Sequence, residues 1–404
     1  MRDVEDRERD GSVLDHSRQD PPAVETPDAS PAPASPPTTG GKARRDARVD
    51  VVRGFALLMI FVDHIPRNAP ALLTLHNFGF SDAAEIFVLL AGYSSMVAYG
   101  GLFRRAGVRP TLARIAGRCV RIYAFHAGLL LATLVIVRVW MDLTGLEPRF
   151  GVKPLLDMGL WPGLLRGLAL NALPNYLDIL PLYIILLALF PLIYFGVRRG
   201  VWGVLALSGT VWMAANFDHS LNLPNAAAVD DGWYFNPFAW QFLFVIGVAL
   251  ALAVRAGDGL LPRHPLVTAA AWTFLGFALL QGGSWTAWGL PDLRPLAMAQ
   301  PDKGYVVPLR LIHILALTYL VFSSNWVRSL SSRRWLRPLD ACGRHSLEIF
   351  AVGCLAALIG RTLYRTFDAV WPLQVAVNVG GLALMLVVGY GLDVRARRLS
   401  RTAP

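Results

Sequence analysis

The stretch RVDVVRGFALLMIFVDHIPRN, Arg48 to Asn68, is the one on which the fold turns. Its apolar centre reads as a bilayer-crossing helix, yet Arg53, Asp63 and His64 lie in or beside it. An ionisable side chain in hydrocarbon costs at least a few kcal/mol, so it is kept there by a partner or by a task.

The rest of the chain has the same apolar character. Of its 404 residues 54% are hydrophobic and only 16% are charged, too apolar for a surface that meets water on all sides. The net charge of +10 invites a nucleic-acid reading, but the arginines fall mostly in short loops between apolar runs. That is the signature of membrane topology, so the bilayer is the expected partner and nucleic acid is not. Cys119, Cys342 and Cys354 show no metal-ligand spacing and no disulfide framework.

Apolar runs of about bilayer length fall near 50–66, 83–101, 118–141, 176–197, 201–217, 237–254, 266–283, 305–323, 345–364 and 373–393. We therefore expect an all-α polytopic membrane protein with about ten transmembrane helices. The basic residues collect in alternate loops, including Arg44–Arg48, Arg104–Arg114, Arg198–Arg199 and Arg328–Arg337. By the positive-inside rule those loops and both termini are cytoplasmic. Residues 155–174 are long enough to span but carry Asp157, Pro162 and Arg166. Spanning there would export every later basic loop, which predicts an interfacial or re-entrant segment instead. Residues 1–47, rich in Pro, Ala, Asp and Arg and without an apolar core, read as a disordered cytoplasmic tail. Residues 48–395 then form the transmembrane domain, and 396–404 a basic C-terminal tail.

This layout turns positions into depths. Arg53 lies near the inner face, and His64, eleven residues on, is about 16 Å further outward on nearly the same helix face. The second run opens from outside with SDAAEIFVLLAGY, carrying Asp82 and Glu85 on one side of its first turn. A capping box accounts for that pair without excluding function, because they start at the depth where Asp63 and His64 end. Asp178 opens the fourth run, Asn236, Trp240 and Gln241 open the sixth, and Lys303, Arg310 and His313 open the eighth. An aromatic belt explains Trp240 cheaply; it does not explain Arg310 and His313 inside an apolar helix. On the inner side Arg118, Arg121 and His126 begin the third run. Inner-leaflet anchoring covers the arginines, whereas His126 lies about 12 Å deeper along the helix than a topogenic residue needs to be.

With these residues in view, RGFALLMIFVDH is similar to the first helix of the acyltransferase-3 superfamily, in which an Arg and a His are separated by ten residues. AEIFVLLAGY resembles that superfamily's second-helix signature, with Ala91 in place of the usual Ser. The segments HNFGFSDAAEIFVLLAGY, LDILPLY, WYFNPFAWQFLFVIG, PLRLIHILAL and GRHSLEIFAVG resemble the OpgC family, from about residue 48 to 395. That resemblance implies a multi-pass protein of the bacterial inner membrane that moves an acyl group from acyl-CoA to hydroxyls of a periplasmic glucan. The group would be succinyl, with succinyl-CoA as co-substrate and no bound cofactor or metal.

On this reading His64 acts as general base or as acyl carrier, with Asp63 or Glu85 orienting it. Arg53, Arg118 and Arg121 would hold the CoA phosphates or the succinyl carboxylate. Asp82, His126, Asp178, Asn236, Trp240, Gln241, Lys303, Arg310 and His313 would bind substrate. Two other functions fit the same buried charges: a transporter or flippase for a glycan or organic anion, and a non-catalytic subunit of a glycan-synthesis complex.

Overall fold

A computed structural model describes residues 46–148, 151–174, 176–228 and 232–402. The assignment of residues 1–47 to a tail therefore lies, except for Asp46 and Ala47, outside the described residues. Helices dominate what is described: α1 Ala47–Asp63, α2 Ala83–Ser95, α3 Gly101–Ala106, α4 Val108–Thr144, α5 Lys153–Asp157, α6 Leu160–Leu168, α7 Ile179–Arg199 and α8 Val201–Phe217. They continue with α9 Pro237–Ala256, α10 Pro265–Gly282, α11 Pro308–Ser323, α12 Asn325–Leu330, α13 Arg337–Arg344, α14 Ser346–Phe367 and α15 Trp371–Thr402.

Seven helical stretches are long and apolar enough to cross a membrane: Ala83–Ala106, Val108–Thr144, Ile179–Arg199, Pro237–Ala256, Pro265–Gly282, Ser346–Phe367 and Trp371–Leu399. The first of these joins α2 to α3 through a π-helical turn at Met96–Gly100. Helices α8 and α11 are apolar but shorter, and α1 has 17 residues with charges inside it. The chain is a multi-pass membrane protein. Each of the ten apolar runs in the sequence carries one of these ten helices, although their boundaries shift. The third begins at Val108, ten residues before Arg118.

Residues 155–174 do not form one long helix. Gly159, at φ 90°, breaks them into α5 and α6, and the nine residues of α6 rise only about 13 Å. Neither piece is long enough to cross.

Local chemistry explains the helix starts around the site. The Asp46 carboxylate accepts from the Arg48 N–H and opens α1. Asp82 and Glu85 form the expected capping box of α2: Oδ1 of Asp82 accepts from the Ala84 N–H, and Glu85 Oε2 accepts from the Asp82 N–H. Asn236 caps α9 by accepting from the Phe238 N–H, with Pro237 in the first turn where its missing N–H costs nothing.

Helices α2 and α9 form the centre, about two thirds buried, whereas α15 and α10 are mostly exposed along their apolar lengths. Gly92 and Gly247 bring α2 and α9 together. A β-carbon on either would overlap a carbonyl oxygen of the facing helix, Phe244 O and Leu89 O respectively. Small residues at such crossings let membrane helices pack at backbone distance. Outward faces carry Leu192, Trp202, Phe217 and Val387, as a lipid-facing surface should.

Candidate functional site

Five helix ends converge on one cavity of about 500 Å³. The end of α1 contributes Ile60, Asp63 and His64; the turns between α1 and α2 contribute Ala71, Leu72, His76 and Asn77. Asp82 and the first turns of α2 form one wall, and Tyr176, Asp178 and Ile179 at the start of α7 form another. Tyr234 and Phe235 come from the approach to α9, and Lys303 from the approach to α11. Phe87 and Phe350 (of α14) meet with ring centroids 6.5 Å apart and give the cavity an apolar wall. Its size and mixed lining suit a small ligand or part of a larger one.

His64 follows the last residue of α1, and its ring meets the Tyr176 ring edge-on at 4.4 Å. Nδ1 of His64 is buried and has no hydrogen-bond partner among the described residues. Beside it the Asp63 carboxylate accepts a hydrogen bond from the Thr74 hydroxyl. Asp63 therefore points to the adjoining turn and bonds to Thr74 rather than to the His64 ring.

The opposite wall is a network of charges. Lys303 Nζ lies 2.7 Å from Asp82 Oδ2, and His76 Nδ1 lies 3.8 Å from the same oxygen. Arg310, from α11, reaches Asp82 Oδ2 at 3.3 Å and donates from Nε to Glu85 Oε1 at 2.6 Å. Burial works against ionisation of Asp82, but Lys303, together with His76 and Arg310, outweighs it and holds this carboxyl well below the usual carboxylate range. Burial likewise opposes the charge on Lys303, and Asp82 and Glu85 overcome it, pushing the ammonium up to about 12. Both groups are charged at neutral pH. Lys303 is the only Lys or Arg side chain lining the cavity among the described residues.

The turn that presents Lys303 is firmly held. The Gly304 carbonyl accepts from the Asn236 N–H at 3.2 Å and from Trp240 Nε1 at 3.0 Å. From α8, Trp212 Nε1 donates to Val306 O and Asn216 Nδ2 to Tyr305 O, each at 3.0 Å. Val306 sits at φ 50°, an unfavourable conformation for a β-branched residue that these contacts sustain.

Residues 45–397 match the family model described as OpgC protein. The chain belongs to the OpgC family. No curated protein and no solved structure matches it.

In this OpgC-family protein the structure gathers Asp63, His64, Asp82, Asp178 and Lys303 around one cavity. Other residues singled out in the sequence lie elsewhere. Glu85 and Arg310 form the buried layer behind Asp82. His313 is turned away: its Nδ1 takes the Ser81 N–H at 3.2 Å and lies 2.6 Å from Ser81 Oγ, beside a separate, largely apolar groove of about 310 Å³. Asn236 Nδ2 donates to Leu221 O, and Gln241 Nε2 to Ser208 O, so with Trp240 they build the scaffold of the outer turns. Arg53 donates to Leu90 O at 3.1 Å and to the Ser94 hydroxyl, tying α1 to α2 outside the cavity. Arg118 is half-buried on α4 away from the cavity lining, and Arg121 pairs with Glu348 on an exposed face. His126 Nε2 donates to Gly167 O at 3.3 Å, which fastens α6 to α4.

Sequence reasoning missed Tyr176, Tyr234, His76 and Phe350 as cavity walls, and Arg361 behind them. An aromatic at a membrane interface reads as belt, and Arg361 reads as one more arginine near a helix end. Only lateral packing distinguishes them.

Proposed function

We propose that this protein is a membrane-embedded O-acyltransferase that moves an acyl group, succinyl by family, from a cytoplasmic acyl-CoA to a hydroxyl of a periplasmic glucan. The cavity at His64 is its reaction centre. All ten apolar helices cross the bacterial inner membrane, with both termini cytoplasmic, so the cavity opens at the outer face where the acceptor is. The observation that carries this reading is a histidine at the cavity wall whose Nδ1 has no hydrogen-bond partner among the described residues. Such an imidazole is available to a substrate hydroxyl.

The chemistry follows directly. The hydroxyl oxygen attacks the thioester carbonyl carbon, a C–O bond forms, and the C–S bond breaks. His64 takes the hydroxyl proton and returns it to the departing thiolate, giving an ester and free CoA thiol. Asp63 and Asp178 accept hydrogen bonds from neighbouring sugar hydroxyls, and the ring of Tyr234 offers a flat face to a pyranose. Among the described residues Lys303 is the one lysine or arginine at the cavity that can meet an acyl chain ending in a carboxylate. Arg53, deeper along α1, keeps α1 and α2 in register at the donor side, with Arg118 and Arg121 nearer the inner surface to meet CoA phosphates.

Mass spectrometry of periplasmic glucans from cells carrying wild type or His64→Ala tests this. Acylation should fall by about 10²–10⁴-fold, the usual contribution of a general base, while the variant inserts at normal levels. Near-normal acylation by stably expressed His64→Ala would overturn the assignment. Protein-dependent export of unmodified glucan would favour a transporter.

A further inference from the structure

We propose that Arg361 is the positioning residue for His64, acting through its main chain and through Tyr176. The inference rests on the catalytic reading of His64 and adds the device that orients it.

Arg361 lies on α14, buried to 7% exposure, and is not among the residues that line the cavity. Its Nε donates to the carbonyl oxygen of His64 at 2.6 Å. That carbonyl belongs to the last turn of α1, where helix carbonyls lack intrahelical partners and the helix dipole favours a cation. The same guanidinium lies 3.7 Å from the centroid of the Tyr176 ring, a close cation–π stack. Tyr176 in turn meets the imidazole edge-on. One planar group therefore fixes both the backbone that carries the imidazole and the ring against which the imidazole rests.

Two further observations point the same way. Tyr176 has φ 79°, a conformation that non-glycine residues rarely hold unless their surroundings impose it. The carboxylates that could have oriented the histidine are engaged elsewhere, Asp63 with Thr74 and Glu85 with Arg310. Lysine cannot replace this arginine, because an ammonium has neither a flat face to stack nor a donor fixed in its plane.

The test measures acyl transfer by the full-length protein in membranes for Arg361→Lys, Tyr176→Leu and the double variant. Each single variant should lower kcat by about 10²-fold, the scale expected of a misplaced catalytic group, with KM for both substrates little changed. The double variant should be hardly worse than either single one, since both remove the same constraint. A residue that merely stabilised the fold would reduce the amount of active protein and leave kcat per folded molecule unchanged. Wild-type kcat in Arg361→Lys would overturn the proposal. If that variant fails to fold, wild-type kcat in Tyr176→Leu overturns it equally. Full activity of His64→Ala would sink the catalytic reading itself. An inactive His64→Ala beside fully active Arg361 and Tyr176 variants would sink the positioning role alone.

Discussion

Arg310→Met should destabilise the cavity wall by about 3–5 kcal/mol, the usual cost of stripping one partner from a buried ion pair. Arg310 serves two carboxylates, Asp82 at 3.3 Å and Glu85 at 2.6 Å through Nε, and its side chain is 5% exposed. Losing it affects the two unequally. Asp82 keeps Lys303 at 2.7 Å and the Ala84 N–H at 2.8 Å. Glu85, with no exposed side-chain surface, keeps only its capping bond from the Asp82 N–H among the bonds described. Most of the penalty therefore falls on Glu85. Adding Glu85→Gln removes that stranded charge, so the double variant should recover at least about 2 kcal/mol. Equilibrium unfolding in mixed detergent micelles, with all four members of the cycle, measures the coupling. A loss below about 1 kcal/mol in Arg310→Met, or a coupling near zero, would refute the reasoning. It would mean that water or another cation compensates Glu85.

Gly247→Ala should sharply reduce folded protein, since its methyl meets the Leu89 carbonyl with no flexible atom to yield, whereas Gly117→Ala, with open space around it, should not; equal expression of the two would refute the tight crossing. Trp240→Phe removes one of two bonds to Gly304 O and should cost about 1 kcal/mol while speeding amide hydrogen exchange at residues 303–306; unchanged exchange would show that the remaining bonds suffice to hold the Lys303 turn. A reporter fused after Pro404 should behave as cytoplasmic, and a periplasmic signal would refute the proposed ten crossings with both termini inside.

The membrane class was legible because a bilayer leaves a chain few choices: each crossing needs a long apolar run with its backbone bonded internally. The capping box at Asp82 and Glu85 was legible for a similar reason, being local chemistry within four residues. Position along each helix placed Asp63, His64, Asp82, Asp178 and Lys303 near one another, and these five residues line one cavity. Rotation about each helix axis was not legible. Arg53 and His64 share a helix face in the sequence, yet one binds α2 while the other lines the cavity. Glu85 could face His64 or Arg310 with equal local sense, and only the packing of α11 against α2 chose Arg310. Arg361 meets the His64 carbonyl across 297 residues of chain. A contact of that kind depends on how α14, the start of α7 and the end of α1 crowd together. Periodicity within any one segment holds no record of it, because hydropathy reports which residues avoid water but not which neighbour they find.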